Sequence, residues 1–152
     1  MPDLEATEVR DRGKEYGAVT GRPRRCGWLD LAVLRYAVRI NGITSLVVTK
    51  LDVFDTQREI QVCTGYRYKG TLLKEMPASA EDLAEVTPEY RTLPGWQSDT
   101  FGVKDAAKLP IKALDYMKFI SDFLGVEIGM ISTGPDRDAT IVCAGTELSK
   151  WI

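Results

Sequence analysis

Apolar positions recur along this chain at two spacings, and the spacing changes at glycine and proline. From Trp28 to Ile40, Leu31, Leu34 and Val38 return at three- and four-residue steps while Arg35 and Arg39 hold a more polar side, which predicts a helix. Asn41-Gly42 supplies a left-handed stop. Ile43 to Thr49 is rich in β-branched residues and too short for a helix, so it predicts a strand buried on both faces, as in a parallel sheet. Glu59 to Tyr68 alternates instead. Ile60, Val62, Tyr66 and Tyr68 are expected to face one way and Glu59, Gln61 and Arg67 the other, the pattern of a half-exposed antiparallel strand. Lys69-Gly70 is its turn, and the chain from Thr71 to Lys74 returns beside it.

Further on, Ser79 with Asp82 three residues later predicts a capped short helix, and Val86 to Leu93 an extended run broken by Pro94-Gly95. Pro110 opens the clearest helix, whose expected stripe is Ile111, Leu114, Met117, Ile120, Phe123 and Leu124, closed by Gly125. Val126 to Ser132 reads as a second buried strand, followed by a tight turn through Thr133-Gly134-Pro135-Asp136 and a last strand from Ala139 to Cys143. The sum is an α/β fold: a mostly parallel sheet with flanking helices plus an antiparallel hairpin. No repeat or flexible linker divides the chain, so residues 1–152 are expected to form one unit, with 1–13 a flexible lead-in and 144–152 a tail.

Composition narrows the chemistry. A formal net charge of −2 gives no general attraction to nucleic acid or to a membrane surface, so anions must be met by local clusters such as Arg22, Arg24 and Arg25. Three cysteines, far apart and without a CxxC pair, predict free thiols rather than a disulfide framework or a zinc site. With no apolar signal region and no stretch of roughly 20 apolar residues, the expected location is cytoplasmic. The chain contains no histidine, which excludes a Ser-His or Cys-His nucleophile pair.

Three loops carry candidate chemistry. Thr49-Lys50-Leu51-Asp52 follows a buried strand, at the carboxyl end where open α/β sheets place their ligand crevices. One carboxylate at Asp52 can accept both adjacent N–H donors of guanine, whereas adenine leaves it unpaired; Lys50 can lay its methylene stem along a base. Alone, these residues also fit a solvated strand end. Ser132-Thr133-Gly134-Pro135-Asp136-Arg137 follows the other buried strand; Gly134 lets the backbone approach a planar base, although a plain turn explains it too. In Val19-Thr20-Gly21-Arg22-Pro23-Arg24-Arg25, alternation about Pro23 aims Arg22 and Arg24 in a related direction, suited to carboxylates or phosphoryl oxygens. A solvated basic loop is the competing reading, and a nucleic-acid patch is disfavoured because aromatics are not interleaved.

Taken together, GKEYGAVTGRPRRCGW, LVVTKLDV, LPGW and ISTGPDR resemble the C-terminal part of adenylosuccinate synthetase in order and approximate spacing, from about Gly13 to Val142. The resemblance implies the C-terminal part of a P-loop-NTPase-like fold and a GTP-dependent ligase that joins IMP and L-aspartate in AMP biosynthesis, with Mg²⁺ assisting. It implies that Lys50, Asp52, Ser132, Gly134 and Pro135 hold the guanine of GTP. Thr20, Arg22 and Arg24 would lie on the loop receiving the aspartate carboxylates, Arg22 also reaching IMP and Arg24 the phosphoryl group of GTP. The family's phosphate loop, catalytic residues and Mg²⁺ ligands lie in a longer N-terminal portion, so no catalytic or metal-ligating residue is expected here, nor turnover by this chain alone. The full enzyme is expected to be a homodimer. The alternatives are a non-catalytic guanine-nucleotide-binding module and an interaction domain with a basic loop.

Overall fold

A computed structural model describes residues 1–151; residue 152, the end of the expected tail, lies outside the described residues. The chain opens with α1 (Asp3–Arg12), then β1 (Leu29–Asp30) and α2 (Leu31–Asn41). The segment before Gly13, expected as a flexible lead-in, is therefore a helix. Its apolar signal is only Ala6 and Val9, too short a stripe to read from spacing. Acidic residues in its first turn and basic ones in its last match the helix dipole, and Arg12 Nη2 donates to the Asp52 carbonyl at 3.0 Å. In α2, Asp30 caps the Val33 amide at 3.0 Å and Gly42 closes the helix at φ 61°, as Asn41-Gly42 foretold.

Two sheets follow. In the first, β3 (Glu59–Tyr68) pairs parallel with β1 and antiparallel with both β4 (Thr71–Leu73) and β5 (Thr87–Pro94). The expected hairpin about Lys69-Gly70 is present, and Ser79 caps α3 (Ala80–Glu85) through the Asp82 amide. The alternation along β3 does not run its full length. The register shifts between Cys63 and Gly65, so Tyr66 joins Cys63 and Ala32 in a small separate cluster while Ile60 and Val62 enter the main core.

The second sheet runs β2 (Ser45–Val48), β6 (Glu127–Ser132), β7 (Thr140–Val142), with β2 and β6 parallel and β6 and β7 antiparallel. β2 is not buried on both faces. It pairs only with β6 among the described strands, and Val47 is 55% exposed. The α/β class holds, with its parallel pairings shared between two sheets. Between them lies α4 (Ile111–Leu124), with Pro110 at its N-cap and Gly125 at its C-cap. Its buried face is Ala113, Tyr116, Met117, Ile120 and Leu124, so Met117, Ile120 and Leu124 of the expected stripe face the core, while Ile111 at its head is 77% exposed. Ala113 and Tyr116 set the true face, since a small residue and a hydroxyl-bearing ring weigh little in an apolar count. No helix among the described residues is long and apolar enough to cross a membrane.

Residues 147 and 148 of the expected tail pack on the fold rather than trailing from it. The Glu147 amide donates to Glu127 Oε1 at 2.6 Å, and Leu148 lies over Gly129, where a Cβ would come within 2.7 Å of the Leu148 Cβ. The three cysteines are free thiols: Cys63 is buried, Cys26 and Cys143 partly so.

Candidate functional site

Because β2 and β6 are parallel neighbours, their carboxyl ends open on the same side, and a crevice forms there. After β2 the backbone turns sharply at Lys50, a non-glycine residue at φ 61°, and enters a 3-10 turn over Leu51–Phe54 that carries Asp52. After β6, Thr133 is fully buried. Its amide donates to the Ala139 carbonyl at 2.9 Å and its hydroxyl to the Val103 carbonyl at 2.8 Å, which fixes the Gly134-Pro135 turn. Ser132 Oγ donates to the Gly134 carbonyl at 3.0 Å.

Lys50, Asp52, Ser132, Gly134 and Pro135 thereby share one cavity of about 380 Å³, within the ~300–1,000 Å³ common for small-molecule sites. Arg12, Gly13, Lys14, Thr49, Val53 and Phe101 complete its wall. Asp52 Oδ1 is buried and has no hydrogen-bond partner among the described residues. Burial, reinforced by the charge of Asp55, raises the Asp52 carboxyl above its ordinary pKa, while its own backbone amide and then the charges of Arg12 and Lys50 oppose that rise. A carboxylate with a buried oxygen left without a donor, on a residue that lines a cavity, favours a ligand that brings N–H groups to it.

Asp55 serves a different purpose on the same turn. It is buried and accepts from Trp96 Nε1 at 2.6 Å, the Thr100 amide at 2.8 Å and the Thr100 hydroxyl at 2.8 Å. Those bonds hold the segment that presents Phe101 to the cavity.

Thr20, Arg22 and Arg24 lie elsewhere, around an open depression of about 490 Å³ shared with Gly17, Pro23 and Arg25. The loop folds as a small hairpin: the Gly17 amide donates to the Arg22 carbonyl at 2.8 Å and the Arg24 amide to the Glu15 carbonyl at 3.0 Å. Arg24, expected to serve both sites, does not line the first cavity. It meets that site through Glu15, whose carboxylate accepts from Arg24 Nη1 at 2.8 Å and also from Lys50 Nζ. Lys50 and then Arg24 hold the Glu15 carboxyl below its ordinary pKa. Lys50 Nζ donates in addition to the Gly13 carbonyl at 2.7 Å.

Residue spacing alone does not single out Arg12, Phe101 or Glu15. Arg12 sits in a segment whose apolar stripe, Ala6 and Val9, is too short to announce a helix. The signal for Phe101 was local: Asp99 two residues earlier, whose Oδ1 accepts from the Phe101 amide at 2.9 Å, announces a turn that shows its next side chain outward.

The adenylosuccinate synthetase family model matches residues 2–141. An adenylosuccinate synthetase of Aquifex aeolicus is 52% identical over 137 residues, covering 90% of this chain and 32% of that protein. One from Solibacter usitatus is 48% identical over 144 residues, covering 95% and 33% respectively. The structure of fully ligated adenylosuccinate synthetase from Plasmodium falciparum superposes with a TM-score of 0.89 at 35% identity, over 94% of this chain and 35% of that one. The chain spans about a third of the length of these relatives.

Proposed function

The chain belongs to the adenylosuccinate synthetase family, and from that premise we propose that it supplies the guanine pocket and the aspartate-receiving loop of a GTP-dependent ligase joining IMP and L-aspartate. The observation that carries this reading is that Asp52, whose carboxylate has a buried oxygen without a partner among the described residues, lines one cavity with Lys50, Ser132, Gly134 and Pro135. Guanine offers two neighbouring N–H donors on one edge, which a single carboxylate can accept; adenine offers an acceptor there and would leave Asp52 unpaired. Lys50 contributes its methylene stem, and the Gly134-Pro135 turn the opposite backbone wall.

In the second depression, Thr20, Arg22 and Arg24 present a hydroxyl and two guanidinium groups suited to the two carboxylates of aspartate. Arg22 would extend toward IMP. Arg24 would neutralise charge spreading over the phosphoryl group as it passes from GTP to the 6-oxygen of IMP, before the aspartate amine displaces it. Among the described residues no group of three His, Cys, Asp or Glu side chains could hold a metal ion, so no step through Mg²⁺ is assigned to this chain. The same reading makes the full-length enzyme a cytoplasmic homodimer.

Calorimetric titration of the chain with GDP, ADP and IMP tests the pocket. GDP is expected to bind in preference to ADP, and Asp52→Asn to weaken GDP about 10- to 100-fold, as the loss of a charge-assisted hydrogen bond implies. Equal binding of GDP and ADP by the unsubstituted chain would sink the guanine assignment.

A further inference from the structure

Phe101 is 60% exposed, an unfavourable place for an aromatic ring, yet the chain on both sides of it is held tightly. Thr100 is fully buried, with amide and hydroxyl bound to Asp55. On the other side the Gly102 amide donates to the Thr133 carbonyl at 3.0 Å. Asp99 caps the Phe101 amide itself. Four hydrogen bonds therefore tie down the neighbours of a ring that is left out of the core and set against the cavity.

The ring also has a designed neighbour. A Cβ at Gly134 would stand 3.4 Å from Phe101 Cε2, so the glycine brings the backbone of the second loop up to the aromatic edge. Phe101 and the Gly134-Pro135 turn thus make adjoining apolar surface in the cavity that Asp52 also lines. An apolar surface beside a buried acceptor is complementary to a flat ring with N–H donors on its rim.

We propose that Phe101 is a base-contacting residue of this cavity, packing its ring against the purine of the bound nucleotide while Asp52 reads the purine's edge. This rests on the guanine-site reading above and adds a separate contribution to it. Every purine has an apolar face, so the contact strengthens binding without selecting guanine from adenine; selection stays with Asp52.

The test is titration of the 152-residue chain and its variants with GDP and ADP. Phe101→Ala is expected to weaken GDP about tenfold, the usual effect of removing an aromatic stacked on a base, and to leave the ratio of GDP to ADP affinity unchanged. Phe101→Tyr should bind GDP as the unsubstituted chain does. Because the side chain is exposed, the melting temperature should hold in each variant; if Phe101→Ala melts early, Phe101→Leu takes its place, as an aliphatic group of similar bulk that cannot stack. Undiminished GDP binding by the alanine or leucine variant overturns the proposal, even where Asp52→Asn loses guanine preference and the site reading stands. Loss in the Phe101 variants with guanine preference intact in Asp52→Asn supports the ring contact and removes Asp52 as the selector. Failure of the unsubstituted chain to bind GDP at millimolar concentration overturns both.

Discussion

Asp52 is held at a cost to the free protein. Its carboxyl is raised by burial and then by Asp55, so the native state binds that proton more tightly than the unfolded chain does. The destabilisation is fully present above the raised folded-state pKa and fades as pH falls toward the ordinary aspartate value. Asp52→Asn is therefore expected to raise the melting temperature at neutral pH by about 2 °C, with the gain shrinking on acidification. Thermal melts across that pH range check it, and a lower melting temperature at every pH would contradict it. The two strand ends that carry Lys50, Asp52, Ser132, Gly134 and Pro135 are legible in the sequence from the β-branched runs before them, while their reading as a base pocket comes from the family resemblance. Glu15 is not legible, because its importance comes from Lys50, distant in sequence, and Phe101 carries only the local Asp99 turn signal, its place beside the cavity depending on the bond of Gly102 to Thr133 across the fold.

At the scale of elements, most helices and strands follow from local spacing and their punctuation by glycine, proline and serine. The failures share a cause. A register shift after Cys63 turns Tyr66 to the other face of β3, and the helix-long stripe of α4 is rotated because Ala113 and Tyr116 face the core while Ile111 does not; partners across the fold decide both. The end of β5 shows how strict such partners are. Gly95 crosses the 57–58 backbone so closely that a Cβ would lie 2.0 Å from the Gln57 carbonyl oxygen, and its amide donates to the Arg58 carbonyl at 2.7 Å. Gly95→Ala must push the strand end away, loosening Trp96 and its bond to Asp55. We expect a loss of about 3 kcal/mol in chemical denaturation; a change within error would mean that the crossing yields freely.

At the scale of the whole fold, the chain spans about a third of the length of its relatives, and its surface carries apolar groups that the described residues leave uncovered. On β2, Val47 is 55% exposed and one strand edge is unpaired among the described strands, a template for pairing between copies. Val47→Lys should lower the weight-average mass seen by light scattering at high concentration while changing stability by no more than about 0.5 kcal/mol. An unaltered mass would place any self-association elsewhere. The shared carboxylate of Glu15 has a broader effect, since it grips Lys50 of one cavity and Arg24 at the rim of the other. On the proposed reading, an incoming anion that draws Arg24 away would leave Lys50 without a competitor for Glu15, and each compartment is then expected to alter the other's affinity by the same factor. Titrating GDP with and without L-aspartate, in the original chain and in Glu15→Gln, measures that reciprocity, which the glutamine should abolish.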